Sequence, residues 1–506
     1  MQINREDYRK KLLGCWMGKN IGGTLGAPME WERHFNDVSF YTQELGGEPL
    51  ANDDLDLQLM WLVALEDRGV EVDAHTLAEY WNIYNTVHWA EYGVSKANMR
   101  RGLPPPLSGS FENWNKHSCG CFIRSEIWAC IAPARPELAA RYAYEDGIID
   151  HGDGEGTYAE VFFAALESAA FVMTDLRELI NLGLSYIPKK CGVAEAVNTA
   201  IASVDAGEDW KVGRDEILRK HRGEAHLIDK IGQYDIDQGF VSGLRGYDVP
   251  SNVAITVLGL LHGGEDFDRM ICTTVNCGED TDCTAATAGS IYGLMYGSDA
   301  IPEKWMEPIG HGIKTQCIHD SLLGKLPATI EELSRRTEVL ADQVTWRYSR
   351  KQPVISEAET DVSDVTPDQL KSADNGADLY KHIGGPVFRF EFFTVYLDYA
   401  SDPLIRSGEE KTITVTVYNT HHVQAELWLQ WHLPDGWHIS PSDSGEALSI
   451  PTGRSVNPLK FSFTFTADHV REAINRCVLV IDMNCRPGVM LVPLTLLNGD
   501  IRSLED

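Results

Sequence analysis

The sequence is poor in positive charge: 44 Lys+Arg stand against 75 Asp+Glu in 506 residues, a formal net charge of −31 at pH 7. A surface that neutralises phosphates needs clustered Lys and Arg, so this balance argues against a broad nucleic-acid or anionic-membrane face. Long apolar runs are also missing. The most apolar stretches, residues 59–65 and 255–261, fall far below the ~20 residues of a membrane-spanning helix. The first residues, Met-Gln-Ile-Asn-Arg-Glu-Asp-Tyr-Arg-Lys-Lys, are charged and lack the apolar core of an export signal. No Cys-x-x-Cys pair occurs among eleven cysteines, which disfavours zinc ribbons and redox motifs and predicts free thiols in a reducing compartment. Gly18, Gly22, Gly23 and Gly26 fit neither a P-loop nor a dinucleotide-binding register. These absences predict a soluble, cytoplasmic protein without nucleic-acid or membrane partners.

What is present is a chain of ordinary apolar content, 43%, long enough for two to four domains. Its first part reads as helical. Asn4 is a candidate N-cap, and Tyr8, Leu12, Cys15 and Trp16 follow on one helical face. Further helices are predicted over residues 55–66, 76–87, 136–144, 158–172, 193–204, 253–261, 267–275, 284–296 and 330–344. Residues 356–378 hold seven acids and one Lys, the composition of a solvated linker. After them the period becomes two: Leu459, Phe461, Phe463 and Phe465 alternate with polar residues. Similar runs occupy residues 388–399, 412–418, 426–433, 477–483 and 489–497, and Pro434-Asp435-Gly436 marks a turn. The predicted fold class is multidomain: an all-α bundle over residues 1–345, an acidic linker over 346–380 and an all-β sandwich over 381–506.

Two acidic clusters stand out. Asn52-Asp53-Asp54-Leu55-Asp56 precedes an apolar helical face, and Gly278-Glu279-Asp280-Thr281-Asp282-Cys283 precedes a small-residue helix beginning Ala285-Ala286-Thr287-Ala288-Gly289-Ser290. Each could merely cap its helix. Three acids in four residues exceed that need, and a cation among them would relieve their repulsion. Asp280 and Asp282 do not share a helix face, so they can converge only on the turn before it. Oxygen ligands suit Mg²⁺, Mn²⁺ or Ca²⁺ rather than zinc, and Cys283 is a poor ligand for a hard cation. Gly289, Gly293 and Gly297 read as close helix packing. In the aromatic stretch from Trp81 to Trp128, core packing is the commoner role, with sugar stacking as the alternative.

Four segments together resemble the ADP-ribosylglycohydrolase family, which includes the dinitrogenase reductase-activating glycohydrolase. They are Leu13-Gly14-Cys15-Trp16-Met17-Gly18 leading to Gly26-Ala27-Pro28-Met29-Glu30; Asn52-Asp53-Asp54; the region from Gly120 through Arg124 to His151; and Val275-Asn276-Cys277-Gly278-Glu279-Asp280-Thr281-Asp282. The resemblance implies an all-α bundle with a pair of Mg²⁺ ions, sometimes Mn²⁺, bound by Asp53, Asp54, Asp280 and Asp282. Asn52, standing where the family usually has Thr, can offer a carbonyl oxygen. Glu30, with Asp54, is the catalytic candidate as base or water-orienting group, and Trp89, Gly120, Arg124, His151 and Glu279 are candidates for substrate contact. The chain departs from the pattern at Leu55 and Cys283, where Thr is usual, at Gly23, where Asp is usual, and across residues 119–124, which keep little beyond Gly120 and Arg124.

The expected activity is thus metal-dependent hydrolysis of an N- or O-glycosidic bond, by resemblance an ADP-ribosyl bond. The alternatives are hydrolysis of a neutral, non-nucleotide glycoside at the same site, or a non-catalytic sugar- or nucleotide-binding protein of the same fold. The C-terminal sandwich resembles Ig-like modules appended to bacterial glycoside hydrolases and is expected to be structural, with homo-oligomerisation through it as an option.

Overall fold

Asn4 does cap the first helix, Arg5–Gly26, its side chain accepting from the Glu6 N–H. This helix and the others below come from a computed structural model that describes residues 1–221, 246–348, 354–420, 424–450, 457–484 and 486–500. The chain divides into two units, Met1–Val94 with Glu112–Leu379 and Ser95–Phe111 with Tyr380–Asp506.

The first unit is helical. Its centre is the pair formed by Arg5–Gly26 and Thr281–Tyr296, which run antiparallel at very short range. A Cβ placed on Gly18 would lie 2.1 Å from the Gly289 carbonyl oxygen, and one on Gly22 would lie 2.1 Å from that of Ala285. Gly14 meets Gly293 and Gly26 meets Thr281 in the same register. The small residues at intervals of four are therefore a packing seam, as their spacing predicts. Asp53–Arg68 is buried along nearly its whole length, and Trp61 packs between Trp81 and Trp128. The predicted helices near residues 136, 158, 193, 253, 267 and 330 are present as Pro136–Gly147, Glu155–Ala170, Gly192–Asp205, Val249–Gly263, Phe267–Asn276 and Ile330–Tyr348. Leu176–Leu184 and Trp210–His221 add helices whose apolar faces are short. The acidic segment packs onto this unit: Ile355–Ser356 pairs in parallel with Ile3–Asn4, and Tyr186 donates to the Leu370 carbonyl.

The second unit holds two five-stranded sheets. One runs Val387–Arg389, Phe393–Asp398, Lys411–Asn419, Leu459–Ala467, Trp437–Ser440, and the other Leu404–Ile405, Met490–Asn498, Ile474–Met483, Ala425–His432, Ser444–Ser449. Alternate residues such as Ile413, Val415, Leu479, Ile481, Val492 and Leu494 are buried in its core, which Leu103, Leu107 and Phe111 join. Three edge strands escape sequence reading: Trp437–Ser440 and Ser444–Ser449, whose exposed residues blur the alternation, and Leu404–Ile405, which is too short to show one. No helix among the described residues is long and apolar enough to cross a membrane. The ten described cysteines are free.

Candidate active site

The close helix pair sets the site. Because glycines let the two backbones touch, the end of Arg5–Gly26 arrives at the start of Thr281–Tyr296, where Thr281 Oγ1 donates to the Gly26 carbonyl at 2.8 Å. The following turn, Ala27–Met29, delivers Glu30 beside Asp280 and Asp282, with one carboxylate oxygen of each within 4.8 Å of the others. Asn252 Oδ1 holds the turn by accepting from the Asp280 N–H. The other acidic cluster arrives on Asp53–Arg68. Asn52 caps that helix, accepting from the Asp54 N–H at 2.7 Å, and its Nδ2 lies 3.5 Å from Asp282 Oδ2. Asp54, Asp282 and Cys283 form a second close group. The two clusters, separated by more than two hundred residues in sequence, thus meet on one cleft of about 670 Å³.

Glu30, Asp53, Glu91, Asp280 and Asp282 line this cleft, and no Lys or Arg does so among the described residues. Burial holds the carboxyls of Asp54, Asp280 and Asp282 well above the usual carboxylate range; Lys19 opposes this at Asp54, and repulsion from neighbouring carboxylates, Glu30 among them at Asp280 and Asp282, adds to it. Glu30 is exposed at the cleft, where partial loss of solvent and then the charges of Asp53 and Asp54 push its carboxyl up to about 7. Asp282 is only 7% exposed, yet its Oδ1 has no hydrogen-bond partner among the described residues. A buried carboxylate oxygen without a donor costs free energy unless a cation meets it. The residues present therefore fit a divalent cation.

The remaining sequence candidates divide by position. Trp89 lines the cleft with 54% of its surface exposed. Gly120 also lines it, and a Cβ there would lie 2.0 Å from Glu91 Oε1. Arg124, His151 and Glu279 are fully buried and are not among the residues lining the cleft. Arg124 binds Asp146, Asp150 and the Gly120 carbonyl. His151 Nδ1 lies 3.0 Å from Asp150 Oδ1, while its Nε2 is 3.8 Å from Glu91 Oε1. Glu279, at φ 72°, pairs with Arg33, and its carbonyl accepts from the Trp31 N–H. These three act on the walls of the cleft. Sequence reading missed Trp31, Glu91, Cys119 and Tyr247, which line it. Trp31 directly follows Glu30 and Cys119 directly precedes Gly120, the local signals available; Glu91 and Tyr247 are brought in by packing.

Residues 4–343 fit the family model described as ADP-ribosylglycohydrolase. The chain belongs to the ADP-ribosylglycohydrolase family and is a hydrolase of that type. It is 22% identical over 323 residues to the ADP-ribosylarginine hydrolase Tri1 of Serratia proteamaculans (strain 568), covering 61% of this chain and 77% of that one. It is 20% identical over 339 residues to the ADP-ribosylarginine hydrolase Tri1 of Pseudomonas putida (strain GB-1), covering 65% and 82%. A solved structure, the FixG-related protein from Vibrio parahaemolyticus, aligns with 22% of this chain and 99% of its own at 13% identity, with a TM-score of 0.17.

Proposed function

We propose that the protein hydrolyses the glycosidic bond of an ADP-ribosyl group carried on a cationic acceptor of the arginine type, using a divalent cation held by Asp53, Asp54, Asp280 and Asp282. The observation that carries the reading is the convergence of five carboxylates, without a lining Lys or Arg among the described residues, on a single cleft. An acidic wall suits a guanidinium leaving group. It would repel the diphosphate of the same substrate unless a cation offset it, so the metal and substrate readings support each other.

A divalent cation there would supply Lewis acidity and fix the orientation of ribose hydroxyls. The protein's own groups do the rest. Glu30, held near 7, is suited to accept a proton from water attacking the anomeric carbon as positive charge develops on the sugar ring. Tyr92 donates to Asp53 Oδ2 at 3.3 Å and steadies that carboxylate. Trp31 and Trp89, 42% and 54% exposed, offer ring faces at the cleft for flat substrate groups.

The test is a panel of ADP-ribosyl-arginine, other ADP-ribosyl conjugates and nitrophenyl glycosides, assayed with divalent cation and with chelator. Turnover confined to ADP-ribosyl conjugates and lost on chelation and in Asp280→Ala supports the reading. Cleavage of nitrophenyl glycosides alone would replace it with the neutral-glycoside alternative. Binding without turnover of any compound would leave a binding protein.

A further inference from the structure

Oxygen donors alone suit Mg²⁺, but the structure places sulfur among them. Cys283 sits in the first turn of Thr281–Tyr296 and lines the cleft. Its Sγ is 3.7 Å from Asp54 Oδ2, and Sγ, an Asp54 oxygen and an Asp282 oxygen all lie within 4.8 Å of one another. Cys119 also lines the cleft. The independent sign of a missing ligand is Asp282 Oδ1, buried and without a partner among the described residues.

We propose that Cys283 is a metal ligand and that this site takes a thiolate-bonding divalent cation of the zinc class in preference to Mg²⁺. The proposal rests on the metal reading of the site given above and adds the class of metal. Asp54, Asp282 and Cys283 form a mixed oxygen and sulfur set, with Asp280 adjacent. Zinc accepts such a set in four-coordination, whereas Mg²⁺ takes oxygen ligands only. The exchange balances simply: the S–H proton leaves to buffer, a metal–sulfur bond forms, and no electrons are transferred.

The experiment uses the full chain stripped of metal and titrated calorimetrically with Zn²⁺, Co²⁺ and Mg²⁺, with absorption spectra taken in Co²⁺. The expected result is binding of Zn²⁺ and Co²⁺ at least ~10-fold tighter than Mg²⁺, the scale on which changes around a metal site move affinity. A sulfur-to-cobalt charge-transfer band is expected in the near ultraviolet. The band should vanish in Cys283→Ser, and that variant should lose the preference for Zn²⁺ over Mg²⁺. Co²⁺ binding without the band in the unmodified protein overturns the proposal, a result that does not depend on whether the variant folds. If Mg²⁺ binds and supports turnover while no band forms, the metal-dependent hydrolase stands and only the zinc-class inference falls. If none of the three ions binds, both fall.

Discussion

The Lys19 ammonium lies 3.5 Å from Asp54 Oδ1 and 2.8 Å from Glu126 Oε1, with all three side chains buried. Burial opposes its charge, but Glu126 and Asp54 more than offset this and hold the ammonium above its usual range. Gln58 Nε2 completes the group by donating to Glu126 Oε2 and to the Asp54 carbonyl. Asp54 therefore turns one oxygen inward to Lys19 and the other toward Cys283 and the cleft. The internal cation fixes the orientation of a carboxylate at the centre of the site.

Replacing Lys19 with Met should destabilise the protein by about 3–5 kcal/mol, because two buried carboxylates lose their counterion. Urea unfolding followed by circular dichroism measures this. A loss below about 1 kcal/mol would show that the ammonium does not neutralise them.

Gly22→Ala drives a methyl into the Ala285 carbonyl, 2.1 Å from where its carbon would sit. The helices must separate, at a cost of about 1–3 kcal/mol. Since the same pair aligns Glu30 with Asp280 and Asp282, turnover should fall together with the melting temperature. Unchanged activity in a clearly destabilised variant would uncouple the seam from the site.

Gly120→Ala is a sharper probe of the cleft wall. Its Cβ would lie 2.0 Å from Glu91 Oε1 and 2.7 Å from the Tyr92 ring, so both side chains must move. Tyr92 is the donor to Asp53. A displacement of this size is expected to lower kcat/KM by about 10²-fold. Steady-state kinetics near the unmodified value would remove Gly120 from the substrate wall.

Glu91 predicts a pH dependence of stability. Burial raises its carboxyl from 4.5 to about 7; the facing His151 opposes the rise, Asp150 adds to it and a hydrogen bond from Ser118 opposes it. A carboxyl whose folded value lies above its unfolded one favours the fold in its protonated form. That contribution is complete below pH 4.5 and is lost as pH rises through 7, an amount on the order of 3 kcal/mol. Glu91→Gln should therefore flatten the decline in stability between these values, as read from denaturant midpoints at successive pH. Parallel curves for the two proteins would show that Glu91 does not contribute.

Divalent cation should stabilise the folded chain. At one hundred times the dissociation constant, a single site adds about 2.7 kcal/mol, and differential scanning fluorimetry should show a higher melting temperature that chelator reverses. Asp282→Asn, which keeps the shape but removes the charge, should abolish the shift. A shift retained in that variant would place the ion elsewhere.

Much of this architecture is legible in the chain. The helical period around Tyr8, Leu12 and Trp16 and the alternation of residues 459–465 correspond to real elements because each reflects one buried face of a local segment. The small residues from Gly14 to Gly26 announce a close approach, but not to which partner. Aromatic residues were ambiguous for a similar reason: Trp81 and Trp128 are core, whereas Trp89, within the same stretch, is half exposed at the cleft. Nothing in a local window distinguishes them, since burial is decided by what packs from elsewhere.

The sequence by itself determined the two element classes, the two acidic clusters and the motifs that mark the family, all of them properties of short neighbouring runs. Only the tertiary structure decided that the clusters face one another, that Arg124 and His151 stand behind the wall, and that Cys283 faces Asp54. The physical reason is that convergence depends on how closely two helices approach. That distance is set by glycines meeting across the Arg5–Gly26 and Thr281–Tyr296 seam, a relation between residues more than 250 apart that no local periodicity carries.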